Sequence, residues 1–383
     1  MPAKPPLPRE LFPVTGRWSF LNHAGVAPLP QPAVEAVVAV AVELARDGSV
    51  ADFEERTEGV RSAAAGLMKV PATDVAFVKN TTEGLAFVAS GLEWSPGDRV
   101  VVPDLEFPST AYPWLALADR GVTVDRVVPE GPGRCLTVEA FRRVIEAGPA
   151  PKVVTTSWVQ YGRGWRTDLA ALAEVAHAAG AMLCVDAIQG LGVVPADFDR
   201  WGVDFASADA HKWLLGPSGT GVLYVRASCL DRLRPLEPGW ASVRHREDWE
   251  NLELVWDPTA RRLEGGSANA AGIMAMGAAV ELLLDTGIDA IWRHVQGLGD
   301  RLCEGLGGVG AGVLSDRSAG GRSGIVTFAV EGADPAALSD ALREKGIVCS
   351  PRGGGIRVSP HGYNDQEEID RLVEAVAGLS PRR

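Results

Sequence analysis

Lys212 stands near the end of Asp-Phe-Ala-Ser-Ala-Asp-Ala-His-Lys-Trp-Leu-Leu-Gly-Pro (204–217). An amine flanked by small residues, a histidine and a glycine turn suits an enclosed nucleophile that forms a Schiff base with a carbonyl. The same pattern also fits a lysine that merely ends a buried strand. Asp186 ends the apolar run Leu183-Cys184-Val185, and Gln189 follows three residues later. A carboxylate there can stay ionised and hold a proton on a pyridine-type nitrogen, making that ring an electron sink. The alternative is that it caps the following turn. Thr81 and Thr82, in Val78-Lys-Asn-Thr-Thr-Glu-Gly84, put hydroxyls and free N–H groups at a helix start. That is either an anion site aided by the helix dipole or an ordinary N-terminal cap.

These residues need a frame to bring them together, and residues 70–230 supply one. Val75–Lys79, Arg99–Pro103, Thr123–Val128, Lys152–Trp158 and Ala181–Asp186 read as strands. Thr81–Gly91, Thr110–Asp119, Leu136–Ala147 and Leu169–Ala179 read as helices between them. β-rich runs alternating with helices predict a parallel sheet covered on both faces. Ligands of such sheets sit at the carboxyl ends of the strands. Lys212, Asp186 and Thr81 all fall in segments that follow strands. Beyond Arg226 the pattern changes to a stretch rich in Pro, Trp and Arg, then two helices at about 269–286 and 288–306. A last section, 313–380, reads strand, helix, strand, strand, helix. The expected organisation is an N-terminal arm over 1–20, which holds five prolines, a large domain over 21–286 and a small one over 287–383.

The chain has 383 residues, of which 46% are hydrophobic and 22% charged, and a formal net charge of −12. The length allows an ample core. The acidic balance argues against nucleic acid, which needs clustered Lys and Arg. No apolar run is long enough to span a bilayer, and the N-terminus lacks the apolar core of a signal peptide, so a cytoplasmic location is expected. Five scattered cysteines without Cys-x-x-Cys suggest free thiols in a reducing compartment. The six histidines show no close ligand pairing, so no metal site is expected. Gly305-Leu-Gly-Gly-Val-Gly310 matches a dinucleotide fingerprint as a string but follows a helix and precedes a strand, the wrong order. Gly216–Gly221 lacks the Gly-Lys-Ser/Thr ending of a phosphate loop and reads as a turn into the strand Val222–Val225.

From Leu21-Asn22-His23-Ala24 to about Ala377, the chain resembles the class V aminotransferases. These are fold-type-I pyridoxal phosphate (PLP) enzymes that include cysteine desulfurases, kynureninases and isopenicillin N epimerase-like proteins. The resemblance implies an α/β fold, a mainly parallel sheet flanked by helices with a smaller C-terminal α+β domain. It implies that Lys212 forms the Schiff base with PLP, with His211 beside it near the phosphate. Thr81 and Thr82 would hold the phosphate, Asp186 would pair with the pyridinium nitrogen, and Gln189 would bond the ring hydroxyl. Phe107 stands where relatives stack a His or another aromatic ring on the cofactor. Gly266 and Ser267 match a segment that reaches the partner subunit's phosphate, which implies a homodimer with shared active sites. Arg357, in Gly355-Ile-Arg-Val-Ser-Pro-His-Gly-Tyr-Asn364, matches the arginine that grips a substrate α-carboxylate, a task suited to a planar guanidinium.

Two departures stand out. Position 209 is Asp where many relatives carry a phosphate-binding Ser; an acid facing a phosphate would repel it, so Asp209 is expected to point elsewhere or to bond a neighbouring donor. Cys349 lies in an apolar strand-like run instead of on the loop where desulfurases carry their nucleophile. Burial raises a thiol's pKa, so a core role is expected. The expected reaction is PLP chemistry at Cα of an amino acid, as an aminotransferase, with a C–S lyase, a desulfurase-like enzyme or an epimerase as alternatives. A non-catalytic binding protein on this fold is disfavoured by the intact Lys212 and Asp186. Asn22, His23, Gln160, Tyr161, Arg163, Trp240, Arg244 and His245 are the candidates for contacting substrate.

Overall fold

A computed structural model describes residues 4–131 and 134–379. Its centre is a seven-stranded sheet. Across the sheet the strands run Val75–Val78, Gly221–Val225, Phe205–Asp209, Met182–Asp186, Val153–Ser157, Arg99–Pro103, Thr123–Val127. The pairings are parallel except at Gly221–Val225, which lies antiparallel to both neighbours. This exception to the expected parallel sheet has a local cause. The chain returns from Phe205–Asp209 through a loop alone, and only an antiparallel neighbour can be reached without a long crossover.

Successive side chains on a strand point to opposite faces, and the core divides accordingly. Val101, Val154, Leu183 and Val185 face the helices Phe53–Met68, Leu169–Ala178 and Ala270–Thr286. Val100, Val102, Met182 and Cys184 face Thr81–Gly91 and Pro108–Leu115. The helices start where short polar side chains accept orphan N–H groups. Asn80 accepts from Glu83 N, Thr137 from Ala140 N and Asp168 from Ala171 N. The expected helix Thr110–Asp119 starts instead at Pro108, since a proline fits the first turn. It gives way to a 3-10 turn, Ala116–Arg120.

A third cluster of buried side chains gathers Leu21 with residues between Leu298 and Val376. It lies under a four-stranded antiparallel sheet ordered Ser350–Arg352, Gly355–Val358, Val326–Ala329, Gly312–Val313. Gly353 and Gly354, both with positive φ (67° and 86°), form the two-residue hairpin between its first two strands. Gly305–Gly308 ends the helix Ile288–Gly308, in keeping with rejection of the dinucleotide fingerprint. The proline-rich arm, expected from its composition to be extended, is folded over its described residues. Two 3-10 turns, Arg9–Leu11 and Pro13–Gly16, seat buried Leu7 and Phe12 against the C-terminal part, Phe12 stacking on Tyr363. Strand Ser19–Phe20 then pairs with Ile347–Val348. No single helix of the described residues is long and apolar enough to cross a membrane.

Candidate active site

A cleft of about 370 Å³ opens at the carboxyl ends of the central strands, within the size range of small-molecule sites. Lys212 reaches it from the loop that follows Phe205–Asp209. Backbone bonds Ala210 N→Thr220 O (2.9 Å) and Gly216 N→Ala210 O (2.9 Å) close that loop. Lys212 is only 8% exposed, and its ammonium forms no hydrogen bond or ion pair among the described residues. Its Nζ stands over the ring of Phe107, 5.5 Å from the centroid. Burial lowers its pKa to about 8, against the opposing pull of Asp186. A buried, unpaired amine that is readily neutral can attack a carbonyl.

Asp186 sits opposite, at the end of its strand. Thr110 Oγ1 donates to its Oδ2 (2.8 Å) and Ile188 N to its Oδ1 (3.1 Å). Burial raises its pKa, and these donors together with Lys212 pull it back. The carboxylate is therefore oriented inside the cleft and strongly drawn to a proton-bearing nitrogen. Gln189 lines the same wall, donating through Nε2 to Ala24 O (3.0 Å) and accepting from Trp213 Nε1 (2.9 Å).

At the other end stands the N-terminus of helix Thr81–Gly91, with Asn80, Thr81 and Thr82 lining the cleft. Gly84 allows the helix to come this close, because a Cβ there would lie 2.3 Å from Ser207 Oγ. Thr81 Oγ1 accepts from Asp209 N (3.0 Å), while Thr82 Oγ1 donates to Ser109 Oγ (2.7 Å). Asp209 lines the cleft instead of pointing away, but it does bond a neighbouring donor: its Oδ1 lies 2.8 Å from His211 Nδ1 and accepts from His211 N (3.2 Å). The acid thus serves the histidine beside Lys212. Arg357 is 4% exposed. Nη1 donates to Tyr161 O (2.7 Å) and Nη2 to Asn22 Oδ1 (3.3 Å), while Nε has no partner. Burial first, then repulsion from Arg352, lowers its pKa to about 10. No carboxylate of the described residues pairs with it, so the cleft holds a guanidinium ready for an anion. Phe107, which also lines the cleft, lies edge-on to Tyr161 at 5.4 Å.

The other candidate residues lie elsewhere. His23 is fully buried, with Nδ1 against Ser359 O and Nε2 against Tyr363 Oη; it ties the N-terminal segment to the C-terminal part and does not face the cleft. Asn22 touches Arg357 and Ser350 Oγ and so supports the arginine. Gln160 is turned inward, donating to Leu105 O and accepting from Gly162 N and Arg163 N. Arg163 Nε donates to Gly353 O (3.0 Å), which braces the Gly353-Gly354 hairpin. Gly266, Ser267 and Trp240 line a separate cavity of about 570 Å³. Arg244 and His245 belong to the irregular loop beyond, where Trp240 stacks on Trp249. Cys349 is buried in the C-terminal core and its pKa is pushed up to about 12 by burial. None of the five cysteines lines the Lys212 cleft. Three residues escape sequence reasoning. Ser109 and Arg352 line the cleft, and Glu106 lies behind it. Their only signal is position: Glu106 and Ser109 flank Phe107, and Arg352 ends the strand paired with that of Arg357.

The residues fit PLP. A buried, unpaired amine faces an oriented carboxylate, a helix N-terminus is open for a phosphate, and a guanidinium lacks an anion. The fold and site define a PLP-dependent enzyme of fold type I. Residues 20–372 match the family described as Aminotransferase class-V, and the chain belongs to that family. It is 29% identical to a probable cysteine desulfurase of Methanothermobacter thermautotrophicus, covering 94% of this chain and 95% of that one. It is 30% identical to an uncharacterized aminotransferase of Bacillus subtilis, covering 96% of each. Among solved structures it resembles the cystine C–S lyase C-DES in complex with its product, cysteine persulfide. There the TM-score is 0.87 and the identity 25%, over 97% of this chain and 100% of that one.

Proposed function

We propose that the enzyme acts on an α-amino acid held by Arg357, with Lys212 as the base that takes the Cα proton and returns it. Bound PLP supplies a carbonyl for the substrate amine and a ring that accepts the electron pair left at Cα. Asp186 holds the proton on the ring nitrogen, Thr81, Thr82 and His211 hold the phosphate, and Phe107 and Tyr161 wall the ring side. The observation that carries the reading is the isolated Lys212 amine, which alone can both remove and redeliver a proton. One such group suffices for transamination, and this is the reaction proposed.

A C–S lyase is the second reading, favoured by the likeness to desulfurases and to the cystine lyase. It would work without an enzyme thiol, because no cysteine lines the cleft. The test is a panel of amino acids offered to the PLP-loaded enzyme with a keto-acid acceptor. Amino-group transfer supports the first reading; sulfide or persulfide from cysteine or cystine, surviving Cys349→Ala, replaces it with the second. Retention of either activity by Lys212→Ala overturns both.

A homodimer is also proposed, with Gly266 and Ser267 serving the partner's cleft, since they do not reach their own. A monomer by light scattering of the loaded enzyme would refute it. The five free cysteines suit a reducing cytoplasm; fractionation that places the protein outside it would refute that location. The separate C-terminal core supports two domains divided near residue 287, which limited proteolysis would test by where the first cut falls.

A further inference from the structure

Behind the cleft, a line of side chains joins two carboxyl groups. Glu106 Oε1 accepts from Ser157 N (2.8 Å), and Glu106 Oε2 contacts Ser157 Oγ. Ser157 Oγ meets Thr110 Oγ1 at 3.5 Å, and Thr110 Oγ1 donates to Asp186 Oδ2 at 2.8 Å. Ser157 and Thr110 are buried. Sheet pairing holds the line in register, because Ser157 lies beside Asp186 on the neighbouring strand.

Counting hydrogens shows what a fully bonded line requires. There are three contacts in it, Glu106 to Ser157, Ser157 to Thr110, and Thr110 to Asp186, whereas the two hydroxyls bring one hydrogen each. With both carboxyls ionised, Ser157 points its hydrogen at Glu106, Thr110 points its own at Asp186, and the middle contact has none. One more proton on a carboxyl fills the line. Asp186 has the stronger claim to the charge, since Lys212 favours its ionised form. On Glu106, burial is the main influence, opposed by bonds from Ser157 and the Phe107 backbone, and the charged group acting on it is Asp186, of like sign. A proton on Glu106 lets it donate to Ser157, Ser157 to Thr110, and Thr110 to Asp186, each bond strengthening the next.

We infer that Glu106 is a positioning residue for Asp186, acting through the Ser157 and Thr110 hydroxyls, and that it is the member of the pair that carries the proton. Its pKa is raised to about 7, so it holds that proton below pH 7 and loses it as the pH rises through neutrality. The consequence for the reaction rests on the reading that Asp186 holds the ring nitrogen; the proton's place does not.

The test begins with the PLP-free protein. Carboxyl carbon NMR of 13C-labelled Glu should show one glutamate, absent from Glu106→Gln, titrating near pH 7. Thr110→Val should shift that titration by breaking the line. A glutamate that titrates near 4.5 overturns the inference. In the loaded enzyme, Glu106→Gln supplies a permanent donor to Ser157 and should keep kcat within about twofold, with the limb near pH 7 flattened. Glu106→Leu should lower kcat at least about tenfold with KM little changed, since it removes the partner of both Ser157 N and Ser157 Oγ and each lost bond is worth up to roughly that factor. Equal losses in Gln and Leu variants of unchanged melting temperature would overturn the positioning role. If Asp186→Asn left the loaded enzyme fully active while Glu106 still titrated near 7, the functional reading would fail and the carboxyl pair would stand.

Discussion

Two cavities of this molecule contrast sharply, and the smaller of the pair is the one proposed to carry the chemistry. The 570 Å³ cavity beside Gly266 is bordered by charged groups that satisfy one another. Arg61 bonds Glu264 (2.5 Å), Glu58 (3.1 Å) and Val75 O (2.8 Å), Arg261 and Arg246 both reach Glu54, and Lys79 meets Glu83 (2.6 Å). In the 370 Å³ cleft, no described residue forms an ion pair with Lys212 or offers a carboxylate to Arg357, although both are buried. Burying an unpaired cation is costly, and a fold that holds two in one cleft does so where an anion or a carbonyl is to arrive. Space marks a place where something could bind; unpaired buried charge marks where something must. The paired cavity reads as framework, or as a surface completed by a second copy.

Substitutions can break or sharpen that contrast. The largest effect belongs to Lys212→Ala, which should lower kcat by about 10³-fold or more, the range of a lost proton-transfer group, while the melting temperature of the PLP-free chain holds or rises. Asp186→Asn should cost about 10²–10³-fold in kcat, as expected when a preorganised charge at the reacting centre is removed. Steady-state kinetics check both. In the other cavity, Glu264→Ala should leave kcat of the folded enzyme within a factor of two and instead reduce stability. Arg61 keeps Glu58 and Val75 O, so losing its charged bond to Glu264 should cost about 1.5–3 kcal/mol, readable as a lower denaturant midpoint. If Glu264→Ala destroyed activity in a well-folded protein, the contrast between framework and site would collapse. Arg357→Lys should be mildest, raising KM about tenfold with kcat nearly kept, because a lysine holds the charge but loses the paired hydrogen bonds.

Much of this site could be read in the chain, and the part that could not has a common cause. Asp186 was legible because it ends an apolar run that reads as a strand, and ligands gather at strand ends; Lys212, after the less strand-like Phe-Ala-Ser-Ala-Asp, became legible only through the family resemblance. Asp209 could be anticipated as well, since like charges repel and its donor was two residues away. His23, Gln160 and Arg163 looked equally polar and equally near the motifs. Their partners, Ser359 and Tyr363, Leu105, and Gly353 respectively, are remote in sequence, and no local pattern reveals such pairings. Glu106 was invisible for the same reason: its meaning lies in Ser157, on another strand. The antiparallel strand Gly221–Val225 and the folded N-terminal turns likewise depend on which neighbour the chain meets, which periodicity does not encode.

The central claim is that the buried amine of Lys212 is the group that bonds the cofactor. The chain offers few competitors: Lys4, Lys69, Lys79, Lys152 and Lys345 are its only other lysines. Borohydride reduction of the PLP-loaded protein, followed by peptide mass analysis, reads the answer directly. The adduct should sit on the Lys212 peptide alone. When PLP is added to the empty chain, the rate of adduct formation should climb with pH and level off above about 8, where this amine loses its proton; an ordinary lysine would keep climbing towards roughly 10.4. Reduced cofactor on any other lysine, or a rate still rising past pH 9, would contradict the assignment.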